Sequence, residues 1–356
     1  MTRVLVALAA GAVATVTFAG AAFAANTGSI TVWHTPMVLA SSQSTTVHIT
    51  VPQTTDPIAA TTIYVPNGYG VNVSQPAGTA IGTVDATAFA RDNGLTLPLS
   101  GTVVTDDPAS YTAASATCAG TTTSRAVWIL NLSVAGSTLP VPLYVNATTG
   151  AEQSLGAYRL SICLPPPDVP AGTPGRAFQG AQLLDALFTV NGVFTTPTGG
   201  GLLAWDTLFT PYNPGRGTPN TAGTFEARAF VPLPIIARLQ ATYRKKTRTY
   251  TLTGRMSEGG LPAAGLTVAI ARGPSAKALK RVASVKTGRT GAFTLSGKLA
   301  PGKTTLFQAS AFALESDYTA QGCKAPPPAI ALAPAGCVKA TLSPWTAKSA
   351  TARVRS

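Results

Sequence analysis

Apolar residues recur at every second position across short, turn-punctuated stretches, and a helical period is almost absent. Val47, Ile49 and Val51 alternate with His48 and Thr50, and Trp128, Leu130, Leu132 and Val134 obey the same rule. Successive side chains of an extended strand point to opposite faces, so this spacing collects the apolar set on one side. Ala135-Gly136-Ser137-Thr138 reads as a hairpin turn, with Val141, Leu143 and Val145 on the return strand. Tyr158, Leu160, Ile162 and Leu164 mark another strand, as do Phe225, Ala227, Ala229 and Val231. Beyond the first residues, only a weak stretch near Ala181 to Phe188 has helix-like spacing. The expected fold class is all-β, with short strands packed as sandwiches.

Charge divides the chain. Residues 26–236 carry six Lys and Arg against ten Asp and Glu, a net −4, whereas residues 238–356 carry 19 against three, a net +16. Pro232-Leu233-Pro234 lies at the change of sign. Proline removes a backbone donor and restrains the residue before it, so strand pairing tends to stop there. The expected layout is two β-sandwich domains in tandem: an acidic domain at 25–236, a linker at 237–246, a basic sandwich at 247–343 and a basic tail at 344–356.

The first 24 residues read as a cleaved signal peptide. Arg3 supplies the positive start, Val4 to Phe18 the uncharged apolar stretch, and Ala22-Phe23-Ala24 the small-x-small cleavage site. No later apolar run is long enough for a membrane helix, so no transmembrane span is expected after cleavage. The expected destination is secreted or extracellular, with association to the cell surface. Four cysteines fit an oxidising compartment: Cys118 and Cys163 in the acidic part, Cys323 and Cys337 in the basic part. Four cysteines allow three connectivities, and pairing within each part is favoured. No C-x-x-C pair exists, which speaks against a zinc site, and no metal or other cofactor is expected.

The basic part carries Leu252-Thr253-Gly254-Arg255, then Gly260 to Val268 (GLPAAGLTV), then Val285 to Phe293 (VKTGRTGAF). Over these roughly 70 residues it resembles a carboxypeptidase regulatory-like (transthyretin-like) or bacterial Ig-like β-sandwich module. The resemblance rests on turn glycines and core positions, so it implies a fold and a non-catalytic accessory role in an exported protein. The acidic part resembles no family with a known function.

Two motifs tempt and fail. Gly297 to Thr304 fits the phosphate-loop pattern G-x-x-x-x-G-K-T, but the next residues, Thr305-Leu306-Phe307, form a strand-like run rather than a helix opening. Pro301-Gly302 therefore reads as a hairpin turn. Leu261-Pro262-Ala263-Ala264-Gly265 looks like a wall-sorting signal, yet about 90 residues of β pattern come after it, and it too reads as a turn.

Catalytic material is thin. The only histidines are His34 and His48, and no G-x-S-x-G elbow is present. His48 is expected as a solvated strand residue. Asp56, Asp85, Asp106, Asp107, Asp185, Asp206 and Glu226 are the carboxylates available for paired-acid sugar hydrolysis. Asp106-Asp107-Pro108 reads as a turn initiator. Trp205 and Asp206 are the candidates for a ligand rim, the indole to stack on a sugar and the acid beside it to act on it. The loops Pro165–Gly175, Thr195–Gly201 and Pro211–Gly223 would form that rim at one end of the sandwich.

Arg244, Lys245, Lys246, Arg248, Lys280, Arg281, Lys286 and Arg289 are the candidates for polyanion binding. Contacts of this kind act through charge with little sequence readout, so no specific nucleic acid is expected. The sequence thus points to a non-enzymatic protein of the bacterial envelope, its basic module held to an anionic envelope polymer or polysaccharide. A secreted polysaccharide hydrolase using Asp or Glu in the acidic domain, and a purely structural envelope protein, are the alternatives. The sequence does not fix an oligomeric state.

Overall fold

The computed structural model describes residues 26–134, 136–233, 235–236, 238–258, 261–317 and 339–356. Residues 1–24, read from the sequence as a signal peptide, and Cys323 and Cys337 lie outside the described residues.

The first body contains β1 (Ser29–Thr35), β2 (Ser42–Thr50), β3 (Ile58–Val65), β4 (Gly70–Val71), β5 (Ala80–Ala90) and β6 (Leu95–Asp106). The short helix α1 (Thr112–Ala119) comes next, then β7 (Ala126–Val134), β8 (Ser137–Ala147), β9 (Tyr158–Cys163), β10 (Ala181–Thr195), β11 (Leu202–Pro211) and β12 (Phe225–Pro232). The chain continues through β13 (Ile235–Ile236), β14 (Gln240–Arg244), β15 (Thr249–Glu258), β16 (Leu261–Pro262), β17 (Thr267–Gly273), β18 (Lys280–Lys286), β19 (Ala292–Lys298) and β20 (Thr304–Ala313). It ends with β21 (Ser316–Asp317), β22 (Lys339–Leu342), β23 (Trp345–Lys348) and β24 (Ala352–Arg355). The all-β expectation holds.

One long sheet makes the first body, in the order β1-β2-β10-β5-β6-β7-β8-β9-β3-β11-β12-β22-β21. It rolls until its two margins meet. Val32 N–H donates to Ser343 Oγ at 3.0 Å, and Thr341 Oγ1 donates to the Ile30 carbonyl at 2.6 Å. Inside the roll, Trp128, Trp205, Phe188, Phe194 and Phe209 are fully buried. Phe194 sets its edge against Trp128 and Trp205, with ring centroids 6.1 and 5.5 Å away. Burial of each such side chain contributes about 1.5–3 kcal/mol. The alternating residues of the sequence supply this core: Val47, Ile49, Trp128, Leu130, Leu143, Val145 and Leu160 all face inward. The disulfide Cys118–Cys163 ties α1 to β9. The helix-like stretch at Ala181–Phe188 lies instead in β10, paired on both sides by β2 and β5. Two flanking ladders outweigh a weak local preference.

In the second body, β15 pairs with β14 and β19 in one sheet. In the other, β17 pairs with β18 and β20, and β20 with β23 and β24. Leu252, Val268, Ile270, Phe293 and Phe307 fill the space between the two sheets.

Three expected boundaries move. The segment 237–246 holds β14 within a sheet and is not a linker. The strand at Lys339–Leu342, assigned from sequence to the basic sandwich, pairs in parallel with β12 of the first body. The tail 344–356 is structured, because Trp345, Ala347, Ala352 and Val354 alternate inward and are buried. Buried apolar side chains form one connected cluster through both bodies, with Leu233 fully buried at the junction.

Candidate functional site

Trp205 and Asp206 are neighbours on β11, so their side chains leave the strand on opposite faces. Trp205 points into the core, edge-on to Tyr69, and is 0% exposed. The expected stacking rim is therefore corrected: this indole fills the interior. Asp206 is also buried, on the other face, where Arg228 of β12 stands opposite it in register. Arg228 Nε donates to Asp206 Oδ1, and Arg228 Nη2 donates to Glu226 Oε1 at 2.8 Å. Burial pushes the Glu226 carboxyl up to about 7; the adjacent Asp206 charge adds to this and Arg228 opposes it. The same row continues across β3 and β9 through Tyr64 and Arg159, both hydrogen-bonded to Glu152 Oε1 at 3.1 and 2.8 Å. The result is a polar row, Arg228, Asp206, Tyr64 and Arg159, in register across four strands. Two catalytic acids need a cleft between them, about 5–10 Å wide; Asp206 and Glu226 instead share one guanidinium under cover.

Two of the other candidate acids, Asp107 and Asp185, have structural partners. Asp107 Oδ1 accepts from Ala109 N–H at 3.0 Å, as a turn initiator must. His48 on β2 pairs with Asp185 on β10 at 2.6 Å, partly exposed on the outer surface. The second histidine, His34, is buried between Thr45 Oγ1 and Tyr69 OH at 2.9 and 2.8 Å, and burial lowers it to about 4.

All eight cations selected from the sequence are exposed. The structure sorts them. Lys286 and Arg289 stand at the end of the second body nearer the first, where β15 meets β13. Arg244, Lys245, Lys246 and Arg248 form the β14–β15 turn at the opposite end, because Thr249 pairs with both Arg244 and Lys298. At that far end lies a groove of about 620 Å³, lined by Arg272, Lys280, Lys298 and Lys303 over Val282 and Leu299. No acidic side chain lines it. The phosphate-loop look-alike supplies part of this wall, and the hairpin expected there is corrected: the turn, with Gly302 at φ 77°, carries the chain from β19, paired to β15 in one sheet, to β20, paired to β17 in the other. Arg272 is a groove residue that sequence reasoning missed. Its signal is the β17–β18 register, which sets it opposite Lys280. The five ion pairs among the described residues all lie in the first body, so none engages these cations.

Two of the three predicted rim loops come together. Asp168 Oδ2 accepts from Gly215 N–H at 2.8 Å, joining 165–175 to 211–223. The third, 195–201, lies at the other end of the body, where Leu233 N–H donates to the Gly201 carbonyl at 2.9 Å.

No protein-family model matches this chain. No curated protein matches it either. Among solved structures it is similar to the full-length major pilin SpaD from Corynebacterium diphtheriae, at 12% identity and a TM-score of 0.24, over 80% of this chain and 56% of that one. The chain thus spans little more than half the pilin's length, and the likeness is too slight to carry an argument.

Proposed function

We infer that this is an exported, non-enzymatic binding protein of the cell envelope, held to an anionic polymer by the far end of its second body. The observation that carries this reading is the cationic groove with the Arg244–Arg248 turn at the same end: a concentration of Lys and Arg with no acid lining the groove and, among the described residues, no ion pair to any of them. Uncompensated cations on a rigid surface attract polyanions, and the released counterions make binding salt-dependent. The acidic first body would then project from the polymer. The sequence features at 1–24 supply the export half of the argument, and the likeness of the second body to accessory β-sandwich modules agrees with it. The hydrolase alternative asks Asp206 for work that its burial and its bond to Arg228 prevent.

The test is binding of the full mature chain to beads bearing inorganic polyphosphate, titrated with NaCl. Affinity should fall steeply with salt. The triple variant Lys280→Gln, Lys298→Gln, Lys303→Gln should flatten the slope of log K against log[salt] by about two units, at roughly 0.7 per lost phosphate contact. Lys286→Gln with Arg289→Gln should change it less. Salt-insensitive binding, or none at low salt, overturns the reading.

A further inference from the structure

The loop at Ala177–Gly180 spends conformational energy to hold a phenylalanine in water. Phe178 is 62% exposed. The next residue, Gln179, sits at φ 51°, a region costly for a residue with a side chain, and Gly180 comes after it at φ 61°. A Cβ on Gly180 would meet the Pro167 carbonyl at 2.8 Å, so the approach is fixed by glycine. The loop is fastened from several sides. Arg176 grips both oxygens of Asp92 at 2.5 and 2.8 Å and donates through Nε to the Val169 carbonyl at 2.7 Å. Asn93 Nδ2 donates to Gln179 Oε1 at 3.1 Å, and Asp92 N–H to the Gln179 carbonyl at 3.3 Å. Strain held this firmly beside an exposed aromatic is a mark of a binding site.

Phe178 stands over an apolar cleft of about 270 Å³, walled by Leu97, Leu99, Leu132, Leu139 and Leu183. Leu139 is 41% exposed, and Leu95, two residues before Leu97 on β6, is 56% exposed. Two of the seven large apolar side chains exposed among the described residues, Phe178 and Leu139, thus line one cleft. No ionisable side chain lines the cleft. Its volume is nearly twice the ~150 Å³ of an engineered apolar cavity that admits benzene.

The backbone at the rim narrows the occupant further. β8 pairs with β9 only from Leu143 onward, so its outer edge over 137–142 has no partner strand among the described residues. Pro140 and Pro142 lie there and line the cleft with Pro165. Prolines have no N–H to offer an added strand, which disfavours a peptide docking by main-chain bonds. We propose that this cleft binds one uncharged aliphatic chain, of the kind carried by a lipid, with Phe178 and Leu139 closing over it. The site is independent of the cationic end, and either can fail without the other.

The test uses the full mature chain with N-phenyl-1-naphthylamine as the reporter and 1-decanol as the competitor. Saturable dye fluorescence that decanol displaces is expected. Phe178→Ser and Leu139→Ser, both at exposed positions that spare the core, should each weaken decanol at least threefold, and together at least tenfold. Ala86→Phe, which fills the cleft, should abolish displacement. Phe312→Ser, an equally exposed aromatic on the second body, should leave it unchanged. The proposal is overturned if decanol does not compete, if the two serine variants bind as tightly as the native chain, or if Phe312→Ser weakens binding as much as they do.

Discussion

Glu226→Gln should separate two titrations that oppose each other in the native chain. Asp206 and Glu226 flank a single guanidinium, and all three side chains are 10% exposed or less. With both acids ionised, the buried trio carries one uncompensated negative charge. Burial disfavours that charge first and the Asp206 carboxylate second, and one proton removes it, so Glu226 is held up to about 7 against an ordinary 4.5. Between those values the folded chain binds a proton that the unfolded chain does not. The stability from Glu226 is therefore complete below pH 4.5 and lost as pH rises through 7. At about 1.4 kcal/mol per unit of displacement, this amounts to about 3 kcal/mol. His34 acts in the other direction. It is held near 4 against an ordinary 6.5, so the unfolded chain takes up the proton first and stability falls as pH drops from 6.5 to 4, again by about 3 kcal/mol. The two slopes overlap and offset each other between pH 4.5 and 6.5. Glutamine keeps an oxygen for Arg228 Nη2 but does not titrate. Native and variant chains should melt together near pH 4.5. At pH 8 the variant should melt roughly 6–12 °C higher, at about 2–4 °C per kcal/mol for a body of this size. In the variant alone, Tm should climb from pH 4 to 6.5. Melting curves recorded by circular dichroism at half-unit steps from pH 4 to 8 decide the matter. Parallel native and variant curves, or a variant that melts lower at pH 8, refute the account of the trio.

The fold itself sets two further outcomes. Reducing Cys118–Cys163, or replacing both residues by serine, should cost about 4 kcal/mol through the loop it closes, read as a lower denaturant midpoint. Thr341→Val and Ser343→Ala should each cost about 1–3 kcal/mol by leaving a buried backbone group of β1 without its partner, seen as faster hydrogen exchange at Ile30–Val32.

Much of the fold was legible because the first body uses a plain alternation that sheet pairing reinforces. Val47, Ile49, Leu143 and Val145 face the core as their spacing demands. Short elements were harder. Residues 345–355 alternate correctly, but two strands of four residues set among lysines and arginines read as a tail. Pairing across more than a hundred residues, such as β22 with β12, leaves no local trace at all. The site divides in the same way. Exposure of the eight cations was legible from their charge, whereas their sorting to opposite ends depends on the register of β15 and β17. Trp205 and Asp206 were misjudged because nearby glycine-rich loops suggested a surface, while the roll of the sheet placed them at its wall.

The return of residues 339–343 to the first body has a practical consequence for anyone dissecting this protein. A stop codon after Ile236 would not release a finished half: it would strip β12 of its neighbour and Val32 N–H of the Ser343 hydroxyl. A protease cut at the 233–235 junction would likewise yield two fragments that stay together on a sizing column, because the downstream piece still holds a strand in the upstream sheet. The halves behave as a clasp, and neither side of a clasp can be judged once it has been cut free.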